Sequence, residues 1–382
     1  MLLYFDTRSR IPCRIAKQHD RDGLIVVNDC KPIDSNEFEI VAGFDALMRS
    51  TRKCIKGVLW KDTPSDYMLN EIEENLRLEK QLQNGKYKQR KPKKFKISYP
   101  KKRDIVSIAF RDRVFQRSLN DNVIYPRISR SFIYDNMACQ IGKGPDKARE
   151  RLKCFLQRHY RKYGTEGYVL KCDIKGYYPN MSHKVVKECF KKVIDGWSYD
   201  QALCVLDTQY DSDIGYNPGS QMIQIAGIGI LNALDHYIKE HLRIKHYIRY
   251  MDDFILIHPD KEYLMECKAK IAQKLMTLDC KLNKDKTGCF RLSDGIEFLG
   301  FTFRLSKTGK VLLLLNSANI KHERKKLRKM VAKCFKGELT REKVDECYFA
   351  WKNHASKGNS YKLLRRMDEY YNTLWREKAI LG

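Results

Sequence analysis

The chain has 382 residues, 43% of them hydrophobic, which is enough to bury one large hydrophobic core or a few smaller ones. It carries 74 Lys and Arg residues against 47 Asp and Glu residues, a formal net charge of +27. An excess this large indicates a polyanionic partner, with nucleic acid ahead of an anionic membrane surface. No apolar run reaches the roughly 18 residues of a spanning helix. The short apolar stretch at residues 1–5 lacks the basic start of a signal peptide.

The 13 cysteines are scattered along the chain and form no C-x₂-C pair. Their number is odd, and several fall within apolar patterns. Both features favour reduced, buried thiols in a cytosolic protein over a disulfide framework or a zinc site.

Residues 1–50 have a mixed composition and are predicted to be an N-terminal extension, and residues 64–83 have the apolar spacing of a helix. The charge then changes abruptly. Residues 86–103 include ten basic side chains and no acidic one, with aromatic residues between them. Phe95 and Ile97 alternate with Lys94 and Lys96, which predicts a basic strand able to contact phosphates and bases. A solvated linker is the alternative.

Two further helices are predicted, at residues 112–124 and 146–163. The loop before the second of them is rich in glycine and carries Lys143. A lysine at the start of a helix could meet a phosphate. A simple connecting loop is the alternative.

The candidate chemistry lies in two acidic positions that each border an apolar run. A predicted strand at residues 168–174 includes Asp173, and a predicted hairpin at residues 247–257 carries Asp252 and Asp253 at its tip. Each taken alone would be an ordinary cap or an acidic turn. Adjacent carboxylates repel, and Mg²⁺, which prefers oxygen ligands, is the usual remedy. Three such acids are what a two-metal phosphoryl-transfer site needs, with its cations about 3.5–4 Å apart.

The segments around these acids have their own patterns. The Gly/Pro-containing loop at residues 215–221 opens a predicted helix through residue 240. Gly227 and Gly229 lie inside this helix, where each costs roughly 1 kcal/mol relative to alanine, and they would allow a neighbouring strand or the template backbone to approach closely. Beyond the acidic hairpin we expect a helix at 262–278, a lysine-bearing turn, a β-hairpin and terminal helices. One of these helices, at residues 321–336, carries eight Lys or Arg residues and one acid.

Taken together, residues 96–361 resemble a reverse transcriptase. The hairpin sequence Tyr250-Met251-Asp252-Asp253 is similar to the best-known signature of that family, and Asp173 with Tyr177-Tyr178 resembles its first catalytic motif. Pro218-Gly219-Ser220-Gln221 resembles its template-contacting loop, and Phe298-Leu299-Gly300-Phe301 its primer-grip hairpin. Asp112-Arg113-Val114-Phe115-Gln116 is similar to the fingers motif of bacterial retroelement and antiviral-defence enzymes.

The resemblance implies an α+β fold of the right-hand polymerase type, with fingers, a palm built on an antiparallel sheet, and a helical thumb. Its expected boundaries are an N-terminal extension at 1–50, fingers at 51–165, a palm at 166–305 and a palm–thumb hairpin with helical thumb at 306–382. The palm would include a helical insertion near 185–215, close to the fingers.

The resemblance also implies roles for individual residues. Asp173 and Asp252 would bind two Mg²⁺ ions, with Mn²⁺ as an alternative, Asp253 would assist, and the carbonyl of Ile174 would be a further ligand. The implied nucleotide-binding residues are Arg103, Lys101, Tyr178, Gln221 and Lys286. Tyr178 would exclude a ribose 2′-hydroxyl, and Lys286 could protonate the pyrophosphate. The implied nucleic-acid contacts are Lys94, Lys96, Lys143, Met251, Lys325 and Arg328.

The implied activity is RNA-directed DNA synthesis in a bacterial retroelement or antiphage system. Its partners would be a structured noncoding RNA template, a DNA or RNA primer and dNTPs, with an accessory protein or a further copy of the chain as additional candidates and no membrane. We expect a bacterial or phage-encoded protein in the cytoplasm. Template-independent or protein-primed synthesis is one alternative, and a non-catalytic RNA-binding scaffold is another.

Overall fold

The structure is a computed structural model that describes residues 16–19, 25–28, 35–97, 103–207, 213–217 and 219–381. Helices and antiparallel strands are mixed along the chain, which confirms the predicted α+β class. The chain forms two compact units, each built from three separate segments. The first unit comprises residues 1–141, 173–241 and 270–284, and the second comprises 142–172, 242–269 and 285–382. The boundaries of fingers, palm and thumb stay a prediction.

The N-terminal part of the first unit combines helices with two antiparallel hairpins, β1–β2 and β3–β4. Its elements are β1 (Ala16–His19), β2 (Ile25–Asn28), α1 (Ser35–Ala42), α2 (Phe44–Cys54), α3 (Asp62–Leu69), α4 (Glu71–Gln83), β3 (Lys93–Ile97), β4 (Arg103–Ser107), α5 (Phe110–Leu119) and α6 (Tyr125–Ile128). The helix predicted over 64–83 is two helices, because the backbone leaves the helical region at Asn70, with φ −116° and ψ 28°.

Helices α1 and α2 belong to the core of the first unit. Val41 and Leu47 are fully buried, and the hydroxyl of Ser118 on α5 donates to the carbonyl of Val41 at 2.6 Å. The backbone N–H of Phe44 donates to Glu79 on α4 at 2.8 Å. Residues 35–54 therefore pack with the helices that follow them, and the N-terminal extension at residues 1–50 stays a prediction.

The middle of the chain holds both acidic positions. Its elements are α7 (Pro145–Tyr163), β5 (Tyr168–Asp173), α8 (His183–Lys191), α9 (Gly196–Asp207), α10 (Gln221–Ile230), α11 (Asn232–His236), β6 (His246–Tyr250), β7 (Asp253–His258) and α12 (Lys261–Met276). The helix predicted to run through residue 240 is divided into α10, α11 and a π-helical turn at Tyr237–His241. The close approach predicted at its glycines is made by side chains, because a Cβ at Gly229 would lie 2.6 Å from Ile128 Cδ1.

The remaining elements all belong to the second unit. They are β8 (Gly288–Arg291), β9 (Ile296–Phe298), β10 (Phe301–Leu305), β11 (Val311–Leu315), α13 (Ser317–Phe335), α14 (Arg341–Ser356) and α15 (Tyr361–Leu381). One sheet has the strand order β6-β7-β5-β8 and another has the order β11-β10-β9. The last three helices share an apolar core that includes Leu327, Tyr348 and Met367.

The turn between β9 and β10 places a leucine in an unusual conformation. Phe298 pairs with Phe301, so the loop consists of Leu299 and Gly300, with φ values of 47° and 86°. Positive φ at both residues is the type I′ geometry, which suits glycine and costs other residues about 1–2 kcal/mol. The guanidinium of Arg149 donates to the carbonyl of Leu299 at 3.4 Å and lies over the ring of Phe301.

None of the described helices is long and apolar enough to cross a membrane. Within the described ranges the cysteines are free thiols, and burial raises the pKa of Cys189 and Cys280 to about 11. Thiols of this kind stay protonated at neutral pH, as expected for inert core residues.

Replacing Gly358 with alanine should destabilise the second unit. A Cβ there would meet Phe301 Cε1 at 2.7 Å and the carbonyl of Leu313 at 2.8 Å, and backbone cannot move aside cheaply. We expect a loss of about 1–3 kcal/mol in the free energy of unfolding, measured by chemical denaturation. Gly288→Ala is the matched control, because no atom lies within 4 Å of its Cβ position. Equal effects of the two substitutions would contradict this packing.

Candidate metal and nucleic-acid site

The turn between β6 and β7 carries two adjacent carboxylates. Tyr250 pairs with Asp253, so Met251 and Asp252 form a two-residue turn. Met251 has a φ of +57°, which two-residue hairpin turns require at their first central position and usually obtain from glycine. This backbone arrangement fixes Asp252 at the tip and Asp253 at the first position of β7.

Asp253 has a cationic neighbour on the next strand of the sheet. The ammonium of Lys171 on β5 lies 3.8 Å from a carboxylate oxygen of Asp253 and donates to the carbonyl of Glu297 at 2.7 Å. We did not predict a role for Lys171 from the sequence. The available signal was a lysine in a strand that is otherwise apolar up to Asp173.

Asp173 is the last residue of β5, the strand that lies beside β7 in the sheet. Asn283 holds it twice: its backbone N–H donates to the carbonyl of Asp173 at 2.8 Å, and its side-chain amide donates to the carboxylate at 3.0 Å. Ile174 forms an isolated bridge with Leu282, and the hydrogen bonds around it come from the N–H groups of Lys175 and Asn283. This pairing does not use the Ile174 carbonyl that was predicted to be a ligand.

The donor chemistry of these residues suits a hard divalent cation, because Mg²⁺ binds carboxylate and carbonyl oxygens. Among the residues that the structure describes, no three His, Cys, Asp or Glu side chains are grouped closely enough to hold a metal ion.

Tyr177 and Tyr178 both face Gly227 on α10, but they differ in burial. Tyr177 is 3% exposed and its hydroxyl donates to the carbonyl of Gly227, as expected for a core residue. Tyr178 is half-buried, and a Cβ at Gly227 would come within 3.1 Å of its hydroxyl oxygen. The glycine therefore leaves room for the ring that was predicted to exclude a ribose 2′-hydroxyl.

The loop before α10 is clamped at two points, although Pro218 lies outside the described residues. The side-chain amide of Asn217 donates to the carbonyl of Val106 on β4 at 2.5 Å. The hydroxyl of Ser220 donates to Gln116 on α5 at 2.7 Å. Gln116 thus anchors the loop at Ser220, a contact that its place in a motif did not predict.

A cavity of about 850 Å³ lies beside this clamp, within the first unit. Three of its lining side chains have a buried polar atom without a hydrogen-bond partner among the described residues: Arg113 Nε, Gln116 Nε2 and Gln221 Oε1. A site that presents both donors and an acceptor suits a ligand with both, such as a nucleotide. The sequence identified Gln221 but gave no sign that these side chains share a cavity.

Asp121 joins three elements at the wall of the cavity. Lys53 on α2 and Arg117 on α5 each donate to the same carboxylate oxygen at 2.8 Å, and Gln221 on α10 donates to the other at 3.4 Å. Burial acts to raise the pKa of Asp121, but the bonds from Lys53 and Arg117 outweigh it and the pKa is lowered. The carboxylate therefore stands between two cations as a phosphate could.

The other predicted contacts are distributed over both units. Lys94 and Lys96 are exposed on β3, Lys286 is exposed in the turn after α12, Lys143 is half-buried before α7, and Lys325 and Arg328 are exposed on α13. Met251 is half-buried in the acidic turn. Arg103 begins β4, and Lys101 lies outside the described residues.

Residues 92–303 match the family described as reverse transcriptase (RNA-dependent DNA polymerase). The match covers more than half of the chain, and the chain belongs to this family. The description of the family names RNA-dependent DNA synthesis, the enzyme class that the sequence motifs predicted. A comparison with curated proteins finds no match.

Two solved telomerase structures are similar to parts of the chain. Apo telomerase from Candida tropicalis, truncated from its C-terminal domain, is 16% identical, with 58% of this chain and 54% of that chain covered and a TM-score of 0.43. Telomerase from Candida albicans, in complex with a TWJ fragment of telomeric RNA, is 13% identical, with 82% and 65% covered and a TM-score of 0.45. The chain thus spans less than two thirds of either telomerase chain.

Gly227→Ala should change sugar selection. The new Cβ, 3.1 Å from the hydroxyl of Tyr178, pushes the ring by a few tenths of an ångström. We expect the ratio of dNTP to rNTP incorporation to fall several-fold, because one displaced contact is worth about 1–3 kcal/mol of discrimination. Single-nucleotide incorporation assays measure the ratio, with Gly288→Ala as control. An unchanged ratio would show that Tyr178 does not contact the sugar.

Asp121→Asn should strengthen binding of single-stranded RNA. Lys53 and Arg117 lose their shared counter-charge, so a phosphate can take its place. The plot of log affinity against log salt should steepen by about 0.7 for each phosphate gained. Fluorescence anisotropy with a short oligoribonucleotide measures this, and Asp66→Asn, an exposed acid on α3, is the control.

The pH dependence of stability provides a second readout for the same variant. Because the pKa of Asp121 is lowered on folding, its carboxylate stabilises the native state above the unfolded pKa, and this stabilisation is lost as pH falls through the folded pKa. The stability difference between wild type and Asp121→Asn should therefore shrink on acidification. A constant difference, with an unchanged salt slope, would contradict the role given to Asp121.

Proposed function

We propose that the chain copies RNA into DNA, using Asp173, Asp252 and Asp253 to hold two divalent metal ions. The observation that supports the proposal is the β6–β7 turn, which carries two adjacent carboxylates in a sheet whose strand β5 ends at Asp173. Family membership supplies the chemistry to which these acids belong. When bound, the ions lower the barrier for attack of the primer 3′-hydroxyl on the α-phosphate of the nucleotide.

The protein residues have tasks that do not depend on the position of the ions. Asn283 orients the carboxylate of Asp173, and Lys171 balances the charge of Asp253. Tyr178 packs against the sugar of the incoming dNTP. Arg103 and Lys101 hold its triphosphate, and Lys286 gives a proton to the leaving pyrophosphate.

The nucleic acid is held by positive charge and by the cavity of the first unit. Lys94, Lys96, Lys143, Lys325 and Arg328 contact phosphates, Met251 touches the primer end, and Gln221 packs on the templating base pair. The net charge of +27 supports a polyanionic partner. The proposed substrates are a structured noncoding RNA template and a DNA or RNA primer. The proposed setting is a bacterial retroelement or antiphage system in the cytoplasm. An accessory protein or a second copy of the chain is a further proposed partner.

Replacing Asp252 and Asp253 together with asparagine should abolish dNTP incorporation on a primed RNA template. Asparagine keeps the shape and removes the charge that binds the metal ions. Of the single variants, Asp252→Asn should lose more activity than Asp253→Asn. Asp195→Asn, whose side chain is 98% exposed, is the control. Full activity in the double variant would refute the proposal.

Calorimetric titration of Mg²⁺, with and without dNTP, separates the polymerase from an RNA-binding scaffold on the same fold. The polymerase should bind Mg²⁺ more tightly with dNTP present, and the double variant should lose this gain. RNA binding with no metal binding in the wild type would favour the scaffold.

A further inference from the structure

Arg249 is the largest fully buried side chain in the described part of the protein. It lies on β6, two residues before Met251, and its side chain is 0% exposed. Burying a guanidinium is costly unless its charge and its donors are satisfied. A residue of this kind in the strand that leads to the acidic turn therefore calls for an explanation.

The guanidinium of Arg249 holds the turn itself. Its Nη1 donates to the carbonyl of Met251 at 2.9 Å. Met251 is the residue whose φ of +57° is unfavourable for any side chain with a Cβ. A charged donor on this carbonyl makes a stronger hydrogen bond than a neutral one would, and so favours the turn over relaxed alternatives.

The same device appears at the second two-residue turn of this unit. There Leu299 has a φ of 47°, and its carbonyl accepts from Arg149, whose side chain is 6% exposed. The two arginines come from different elements, one from the turn's own strand and one from α7. A buried guanidinium thus accompanies a non-glycine residue at positive φ in both places.

We propose that Arg249 is a positioning residue. Its bond to the Met251 carbonyl fixes the turn that aims the carboxylates of Asp252 and Asp253, and so sets their affinity for a divalent cation. The inference rests on the proposed function, because it takes these two acids to be metal ligands. It adds that the buried arginine behind them determines whether they are correctly placed.

The test uses five full-length proteins: wild type, Arg249→Met, Met251→Gly, Arg249→Met/Met251→Gly and Asp252→Asn/Asp253→Asn. Mn²⁺ binding is measured by electron paramagnetic resonance without nucleotide or nucleic acid, since bound Mn²⁺ loses the signal of the free ion. Arg249→Met should weaken binding at least roughly tenfold, as loss of a group that orients metal ligands does. Met251→Gly should keep its Mn²⁺ affinity in this assay, which contains no primer and therefore does not report on the primer contact proposed for Met251.

The Arg249→Met/Met251→Gly variant is the decisive protein. Glycine adopts positive φ without steric cost, so it should hold the turn without the arginine and recover most of the lost Mn²⁺ affinity. In primer extension, Arg249→Met should show a lower rate at limiting metal that excess metal restores, with KM for dNTP little changed. A merely structural defect would not respond to metal in this way.

The outcomes separate the two proposals. If wild type and Asp252→Asn/Asp253→Asn bind Mn²⁺ equally, the metal site itself is wrong. If wild type binds more tightly than that variant, but Arg249→Met binds as wild type or Met251→Gly fails to rescue it, the positioning role is wrong. An Arg249→Met chain that unfolds and is refolded by Met251→Gly supports the role, and one that stays unfolded contradicts it.

Discussion

Adjacent carboxylates on one tight turn repel each other. The conformation of the acidic turn therefore depends on the groups that stabilise it against this repulsion. Asp252 and Asp253 are fixed in sequence, so the chain cannot separate them along the backbone. Two neighbouring side chains contact the turn and stabilise it. Lys171 provides a nearby positive charge, and Arg249 binds the carbonyl between Met251 and Asp252. Both groups favour this turn in spite of the repulsion between its carboxylates.

In the first unit, hydrogen bonds fix the loop before α10, which lies beside the cavity. The loop before α10 is tied to β4 by Asn217 and to α5 by Ser220, so that Gln221 follows from a fixed start. Around it, three buried polar atoms have no hydrogen-bond partner within the described residues. Asp121 forms ion pairs with two cationic side chains, Lys53 and Arg117. Unsatisfied groups in a cavity cost stability in the free protein. A ligand that carries both donors and acceptors would satisfy these groups on binding.

Local pattern predicted the elements that carry the chemistry. The β6–β7 hairpin, the strand that ends at Asp173 and helix α7 were expected from apolar periodicity, which short-range sequence determines. The break at Asn70 and the division of the helix after Ile230 were not expected, because packing decides where such helices bend. Apolar spacing alone does not record that constraint.

Pairs that are distant in sequence were also beyond prediction. Lys171 and Asp253 are far apart along the chain, as are Asp173 and Asn283, and no periodicity links either pair. The cavity is a further case, since Lys53, Gln116 and Gln221 meet only after three helices have packed. Motif matching identified some of these side chains, but only the folded structure shows which residues they contact.

The packing of α1 and α2 has a practical consequence for any shortened form of the protein. A fragment that starts after residue 50 would lack Val41, leaving the buried hydroxyl of Ser118 without its acceptor. It would also lack Leu47 and the backbone N–H of Phe44 that binds Glu79. Because α5 also supplies Gln116 and Arg117 to the cavity, loss of the contacts that hold α5 should also disturb the cavity where RNA is proposed to bind. Helices α1 and α2 thus support α5, which lines the cavity.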